Sequence, residues 1–166
     1  MSITYPGGFR AAGVAAGLKS TGKPDVALVA NDGPLHNAAA VFTSNRVAAA
    51  PVLWSRQVVS DGRVDAVILN SGGANACTGP EGFQNTHRTA EVTADLLGVS
   101  ATDILVCSTG LIGEQLPMDL LLAGVSDAAG SLGRGGGPAA EEAIRTTDSV
   151  SKEARYPATA DSASEG

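Results

Sequence analysis

The stretch DAVILNSGGANACTGP, residues 65–80, decides how this chain reads. Its first six residues are a near-continuous apolar run, the pattern of a strand buried on both faces. SGGANACTGP, at 71–80, is too rich in small and turn-forming residues for a regular element, so it reads as a tight loop. The design recurs in DILVCSTGLIG at 103–113, where the apolar run 103–108 leads into Thr109-Gly110-Leu111-Ile112-Gly113. Between the two, Phe83, Thr86, Ala90, Ala94 and Leu97 fall on one helical face, and Gly98 supplies the stop. Strand, glycine loop, helix and strand in this order describe a sheet with helices packed on it.

Working outward, residues 9–18 and 25–31 read as the arms of a hairpin turning through 20–24. AAVFT at 39–43 reads as a further short strand, ended by Ser44-Asn45. Pro51 sits at the favoured first position of a helix that runs to Val59. Pro117 opens another helix, with Leu121, Val125, Ala128 and Leu132 on one face. Gly130 and the glycines around 133–137 break it, and 138–145 forms a short last helix. The expected fold is α/β or α+β, a layered mixed sheet with helices. Residues 1–148 form one region, and 149–166 (SVSKEARYPATADSASEG) read as a disordered or atypical tail.

Composition bounds the function. Of 166 residues, 28 are Ala and 21 are Gly, against three Phe, two Tyr and one Trp, so elements must pack closely. A chain of this length can bury roughly two-thirds of its unfolded surface, enough for one domain. The net charge is −6 with no basic stripe, which argues against nucleic acid or an anionic membrane as partner. Nothing resembles a secretory leader or approaches the roughly 20 apolar residues of a membrane span. Two cysteines, Cys77 and Cys107, suggest neither a disulfide framework nor a metal site. A cytoplasmic protein without metal or cofactor is expected.

GLKSTGK, at 17–23, satisfies the first seven positions of a phosphate-binding P-loop, but the eighth must be Ser or Thr and is Pro24. A strand-like segment follows where that motif needs a helix, so a hairpin turn explains it better. The glycine loops after the two apolar strands lie where α/β proteins bind ligands. There Thr109 and Gly110 could aim a hydroxyl and a backbone N–H at one developing oxyanion, though glycines that merely permit tight turns explain the same spacing. His36 and His87 show no visible partner. Cys107, ending an apolar strand, reads as a buried inert thiol. Glu141-Glu142 read as a solvated helix face, and Thr146-Thr147-Asp148 as a helix exit.

ILNSGGANACTG at 68–79, CSTGLIG at 107–113, LPMD at 116–119 and AIRTTD at 143–148, with GFRAAGVAAGLK at 8–19 and AAPVLW at 49–54, closely resemble the ornithine acetyltransferase family of arginine biosynthesis. The resemblance covers essentially residues 6–153 and implies the α-chain portion of a DmpA/ArgJ-like fold. It also implies acetyl transfer from N-acetylornithine to glutamate, with acetyl-CoA as a second acetyl donor in bifunctional members. In this family a precursor cuts itself into α and β chains, and the Thr freed at the start of β is the nucleophile, with its own α-amine as base. The family's oxyanion-hole pair matches Thr109-Gly110, and its substrate-contacting Thr matches Thr146. The α and β chains pair, and a heterotetramer of two of each is implied.

One departure stands out. The family's Gly- and Met-rich segment before the Ala-Thr cleavage pair has no counterpart, and Pro157-Ala158-Thr159 lacks its Lys-Gly-Gly context. The nucleophile is therefore expected outside this chain, which alone should not transfer acetyl groups and should expose apolar surface. The alternative is a non-catalytic relic or assembly module.

Overall fold

The computed structural model describes residues 3–157. Its elements are β1 (Phe9–Val14), β2 (Val26–Asn31), α1 (Ala50–Val58), β3 (Ala66–Gly73), α2 (Gly79–Leu97), β4 (Ile104–Leu111), α3 (Met118–Gly130) and α4 (Gly137–Ile144), with one-turn 3-10 helices at Val59–Asp61 and Ala101–Asp103. The sheet order is β1-β2-β3-β4. β1/β2 and β2/β3 pair antiparallel, whereas β3/β4 pair parallel through the α2 crossover that a parallel pair requires. The mixed layered sheet expected from sequence is the observed architecture.

The two-residue alternation of side chains sorts the sheet into two faces. Ala12, Val26, Leu28, Ile68, Ile104 and Val106 share one face and build the main core against Trp54 and Val58 of α1, Ala90 and Ala94 of α2, and Leu121, Val125 and Ala128 of α3. Ala11 and Ala27 lie on the other, where Ala140 and Ala143 of α4 meet them. That second contact works only with tiny residues. A Cβ on Gly13 would stand 2.0 Å from the Ala139 carbonyl oxygen, and one on Gly136 would stand 1.7 Å from that of Ala11. The glycine and alanine excess thus brings a helix backbone onto a strand backbone.

β4 is an edge strand, whose outward backbone groups need partners. α1 supplies them: Trp54 Nε1 donates to the Ile104 carbonyl at 2.9 Å, and the Ser55 hydroxyl donates to the Val106 carbonyl at 2.7 Å while accepting the Val106 N–H at 3.0 Å. Among the described residues, no helix is long and apolar enough to cross a membrane.

Three expectations are corrected. Residues 39–43 are not a strand: the nearby bridge between Asn37 and Arg63 lies outside this stretch, which pairs with no strand among the described residues, and Val41 is 99% exposed. The first hairpin arm ends at Val14 rather than residue 18. The glycine segments after the apolar runs are not loops throughout, since β3 continues through Ser71–Gly73 and β4 through Thr109–Leu111. Glycines read locally as turn-formers here serve a pairing that only the neighbouring strand reveals. In the tail, 149–157 carry no helix or strand, and 158–166, including Ala158-Thr159, lie outside the described residues.

Replacing Gly13 by Ala should push α4 off the sheet and cost about 1–3 kcal/mol, the usual range for overpacking. Chemical denaturation reads this as a lowered midpoint, and an unchanged midpoint would contradict the backbone contact.

Candidate active site

A cleft of about 620 Å³ opens where the ends of β3 and β4, the β1–β2 connection and the end of α4 meet. Leu18, Lys19, Thr109, Gly110, Arg145 and Thr146 are among its lining residues. The three residues singled out from sequence therefore share one cavity. β4 carries Thr109 and Gly110, and α4 delivers Thr146 by crossing the far face of the sheet.

The strand geometry aims the backbone at Gly110. Val106 turns its N–H and C=O outward to Ser55, whereas Thr109 and Leu111 register with Gly73 of β3. Gly110 itself registers with Gly72 of β3, and the pairing turns irregular at Gly72 and Gly73. At φ +133°, Gly110 has a backbone that side-chain-bearing residues rarely adopt, and a Cβ there would lie 2.4 Å from the Gly72 carbonyl carbon. Neighbouring bonds fix this strand end. Ser108 Oγ donates to Asn70 Oδ1 at 2.6 Å, Asn70 Nδ2 donates to the Gly73 carbonyl at 3.0 Å, and the Ala74 N–H donates to the Leu111 carbonyl at 2.8 Å. The Thr109 side chain remains exposed to the cleft.

The opposite wall is the P-loop-like segment. Its N–H groups do cradle an anion, but that anion is the chain's own Asp25. The buried carboxylate accepts from the N–H groups of Ala16 at 2.7 Å, Gly17 at 3.1 Å, Leu18 at 2.6 Å and Lys19 at 3.0 Å. Lys19 then reaches across the cleft floor, its ammonium donating to the carbonyls of Pro24 at 2.9 Å, Arg145 at 2.6 Å and Ala143 at 3.4 Å. Desolvation pushes the Lys19 pKa down, with Asp25 and Glu142 opposing. Ser71 Oγ also donates to the Ala143 carbonyl, so side chains from the β1–β2 connection and from β3 cap the end of α4.

Glu142, read from sequence as solvated, is half-buried, pairs with Arg145 and lines the cleft, because the last turn of α4 ends there. Arg145 also donates to the Asp148 carbonyl at 2.8 Å, which shapes the chain around Thr146. Cys107 is exposed on the sheet face that α4 leaves open, contrary to the buried thiol expected, although enough protein surrounds it that desolvation pushes its thiol pKa up. Cys77 is exposed as well. Both histidines stand outside the cleft. His36 lies beside Asp65, and His87 packs on Trp54 with ring centroids 4.9 Å apart. Asp25, Lys19 and Arg145 escaped sequence reading because their partners lie on other elements or up to 126 residues away.

The sequence profile of the ArgJ family matches residues 10–165, continuing past the last quoted motif into the tail. The arginine biosynthesis bifunctional protein ArgJ of Streptomyces coelicolor is 64% identical over 152 residues, and that of Thermobifida fusca is 66% identical over the same length. Each alignment takes in 92% of this chain but 40% of the relative, so the chain spans less than half the length of the curated relatives it matches. A solved ornithine acetyltransferase of Mycobacterium tuberculosis, complexed with ornithine, superposes with TM-score 0.89 at 58% identity, covering 90% of this chain and 81% of that one. The solved ArgJ protein of Bacillus halodurans gives 0.82 at 36% identity, covering 90% and 78%.

Two neighbouring substitutions should separate architecture from chemistry. Gly110→Ala should destabilise the chain by about 1–3 kcal/mol through clash and backbone strain. Thr109→Ala, at an exposed side chain, should stay within about 0.5 kcal/mol of the parent. Thermal melts of both variants decide, and equal losses would refute the geometry given for the strand end.

Proposed function

The chain belongs to the ArgJ family, and from that premise we propose that it supplies the oxyanion-stabilising wall of an acetyltransferase that moves acetyl from N-acetylornithine to glutamate. The observation that carries this reading is the convergence of Thr109, Gly110 and Thr146 on one cleft. A hydroxyl and a backbone N–H fixed side by side suit an acyl-transfer intermediate, because the negative charge developing on a carbonyl oxygen meets donors already in place.

In the proposed reaction a Thr hydroxyl from the remainder of the enzyme attacks the acetyl carbonyl, and its proton passes to the α-amine of the same Thr. Thr109 and Gly110 hold the resulting oxyanion. Collapse expels the ornithine amine, which takes up that proton, and leaves an acetyl-Thr ester. The glutamate amine then attacks the ester through a second oxyanion in the same hole, and collapse breaks the ester C–O bond, freeing N-acetylglutamate and returning the amine's proton to the Thr hydroxyl. Thr146 contacts the substrate. Acetyl-CoA enters as an alternative donor to the same nucleophile. The cleft's lining residues include no His and no Cys, and Glu142 is neutralised by Arg145. An outside nucleophile carrying its own base fits this arrangement.

The partner in this proposal is a β chain, paired into a heterotetramer of two α and two β chains in the cytoplasm. The open sheet face at Cys107 and Thr109 and the exposed Leu111 and Ile112 offer it a surface. The two unbridged thiols suit that reducing compartment.

The 166-residue chain alone should show no acetylornithine-to-glutamate transfer and should bind a hydrophobic dye. Adding a complementary β chain should restore turnover and suppress the dye signal. In that complex Thr109→Ala should lower kcat by about 100- to 1000-fold. Turnover by the lone chain, or full activity in the variant, would overturn the assignment.

A further inference from the structure

We infer that Asp25 and Lys19 act together as a positioning clamp that sets the width of the cleft, holding the Thr146 wall in place relative to the Thr109-Gly110 wall. Asp25 begins the clamp. Its carboxylate is fully buried and takes four consecutive N–H groups, those of residues 16–19. These donors converge on its two oxygens, so the carboxylate sets the path of the connection. The Asp25 backbone extends the link to β3, because its carbonyl accepts the Ser71 N–H at 2.8 Å.

Lys19 completes the clamp. The nest points its side chain toward the end of α4, where its ammonium meets the carbonyls of Ala143 and Arg145, the residues just before Thr146. With the Pro24 carbonyl, these account for the three N–H donors of an ammonium. Lys19 is therefore committed as a tie and is not available as a proton carrier. Among the described residues, the same helix end is also held by bonds from Ser71 Oγ to the Ala143 carbonyl and from Arg145 to Glu142 and to the Asp148 carbonyl. Without Lys19 the Arg145 carbonyl loses its ammonium donor. The clamp rests on geometry alone, whereas its value for acetyl transfer rests on the function proposed above.

Hydrogen exchange and methyl NMR on the full 166-residue chain test it. Lys19→Met keeps the aliphatic stem and removes the donors. Amides in the last turn of α4 and at 145–147 should exchange about 10- to 100-fold faster, the Thr146 methyl signal should shift, and protection of β2 and β3 should stay unchanged. Asp25→Asn should accelerate exchange at 16–19 and reproduce the effect at 145–147. If Asp25→Asn does not fold, Lys19→Met decides alone. Unchanged exchange at the end of α4, or a uniform loss across the sheet, overturns the clamp. An ornithine titration of the parent reports separately on the proposed function: absence of binding would count against that function while the exchange data still settle the clamp.

Discussion

Burying a carboxylate is costly unless the protein replaces its lost water with donors. At Asp25 four backbone N–H groups do this, and hydrogen bonds to an ionised group are worth about 1.5–3 kcal/mol each. The exchange is mutual, since the charge is satisfied only if residues 16–19 curl around it and those residues have no other partner for their N–H groups. The connection between the first two strands therefore becomes a rigid wall. Lys19 emerges from that wall in the direction of α4, and the position of Thr146 follows from where its ammonium finds carbonyls.

Close approach of backbones is the second constraint. α4 can lie on β1 only because Gly13 and Gly136 leave no side chain between them, and β4 can run beside β3 to its end only because Gly110 carries no side chain against Gly72. Larger residues at either place would open the cleft from one side. The alanine and glycine excess is thus spent at contacts that bring Thr109 and Thr146, far apart in sequence, into one cavity.

An edge strand normally exposes unpaired N–H and C=O groups, and this fold treats its edge unevenly. Trp54 and Ser55 satisfy Ile104 and Val106, while farther along the strand Thr109 and Gly110 open onto the cleft. A glycine backbone and a threonine hydroxyl side by side at a strand end suit a place where negative charge must appear briefly, which is why the acyl-transfer reading fits the architecture.

Much of this was legible from local pattern. The apolar runs at 65–70 and 103–108, the helical spacing over 82–97 and the prolines at 51 and 117 each located an element, because side-chain periodicity and the fixed φ of proline are local properties. The motif at 107–113 also marked Thr109 and Gly110. Other features depended on neighbours that local sequence does not name. Residues 39–43 had strand-like composition but no strand to pair with, and Ser71–Gly73 looked like a loop but had one. GLKSTGK had the donors of an anion site, and nothing in its spacing showed that Asp25 would fill it. Sequence by itself located the four helices and the apolar starts of the four strands, and nominated the residues that could do acyl chemistry. Tertiary structure alone decided that Glu142 faces the cleft, that Cys107 is exposed, and that Asp25, Lys19 and Arg145 shape the site. Satisfying a buried charge or an open backbone edge is a property of whatever lies across the gap, and that is settled only when the chain has folded back on itself.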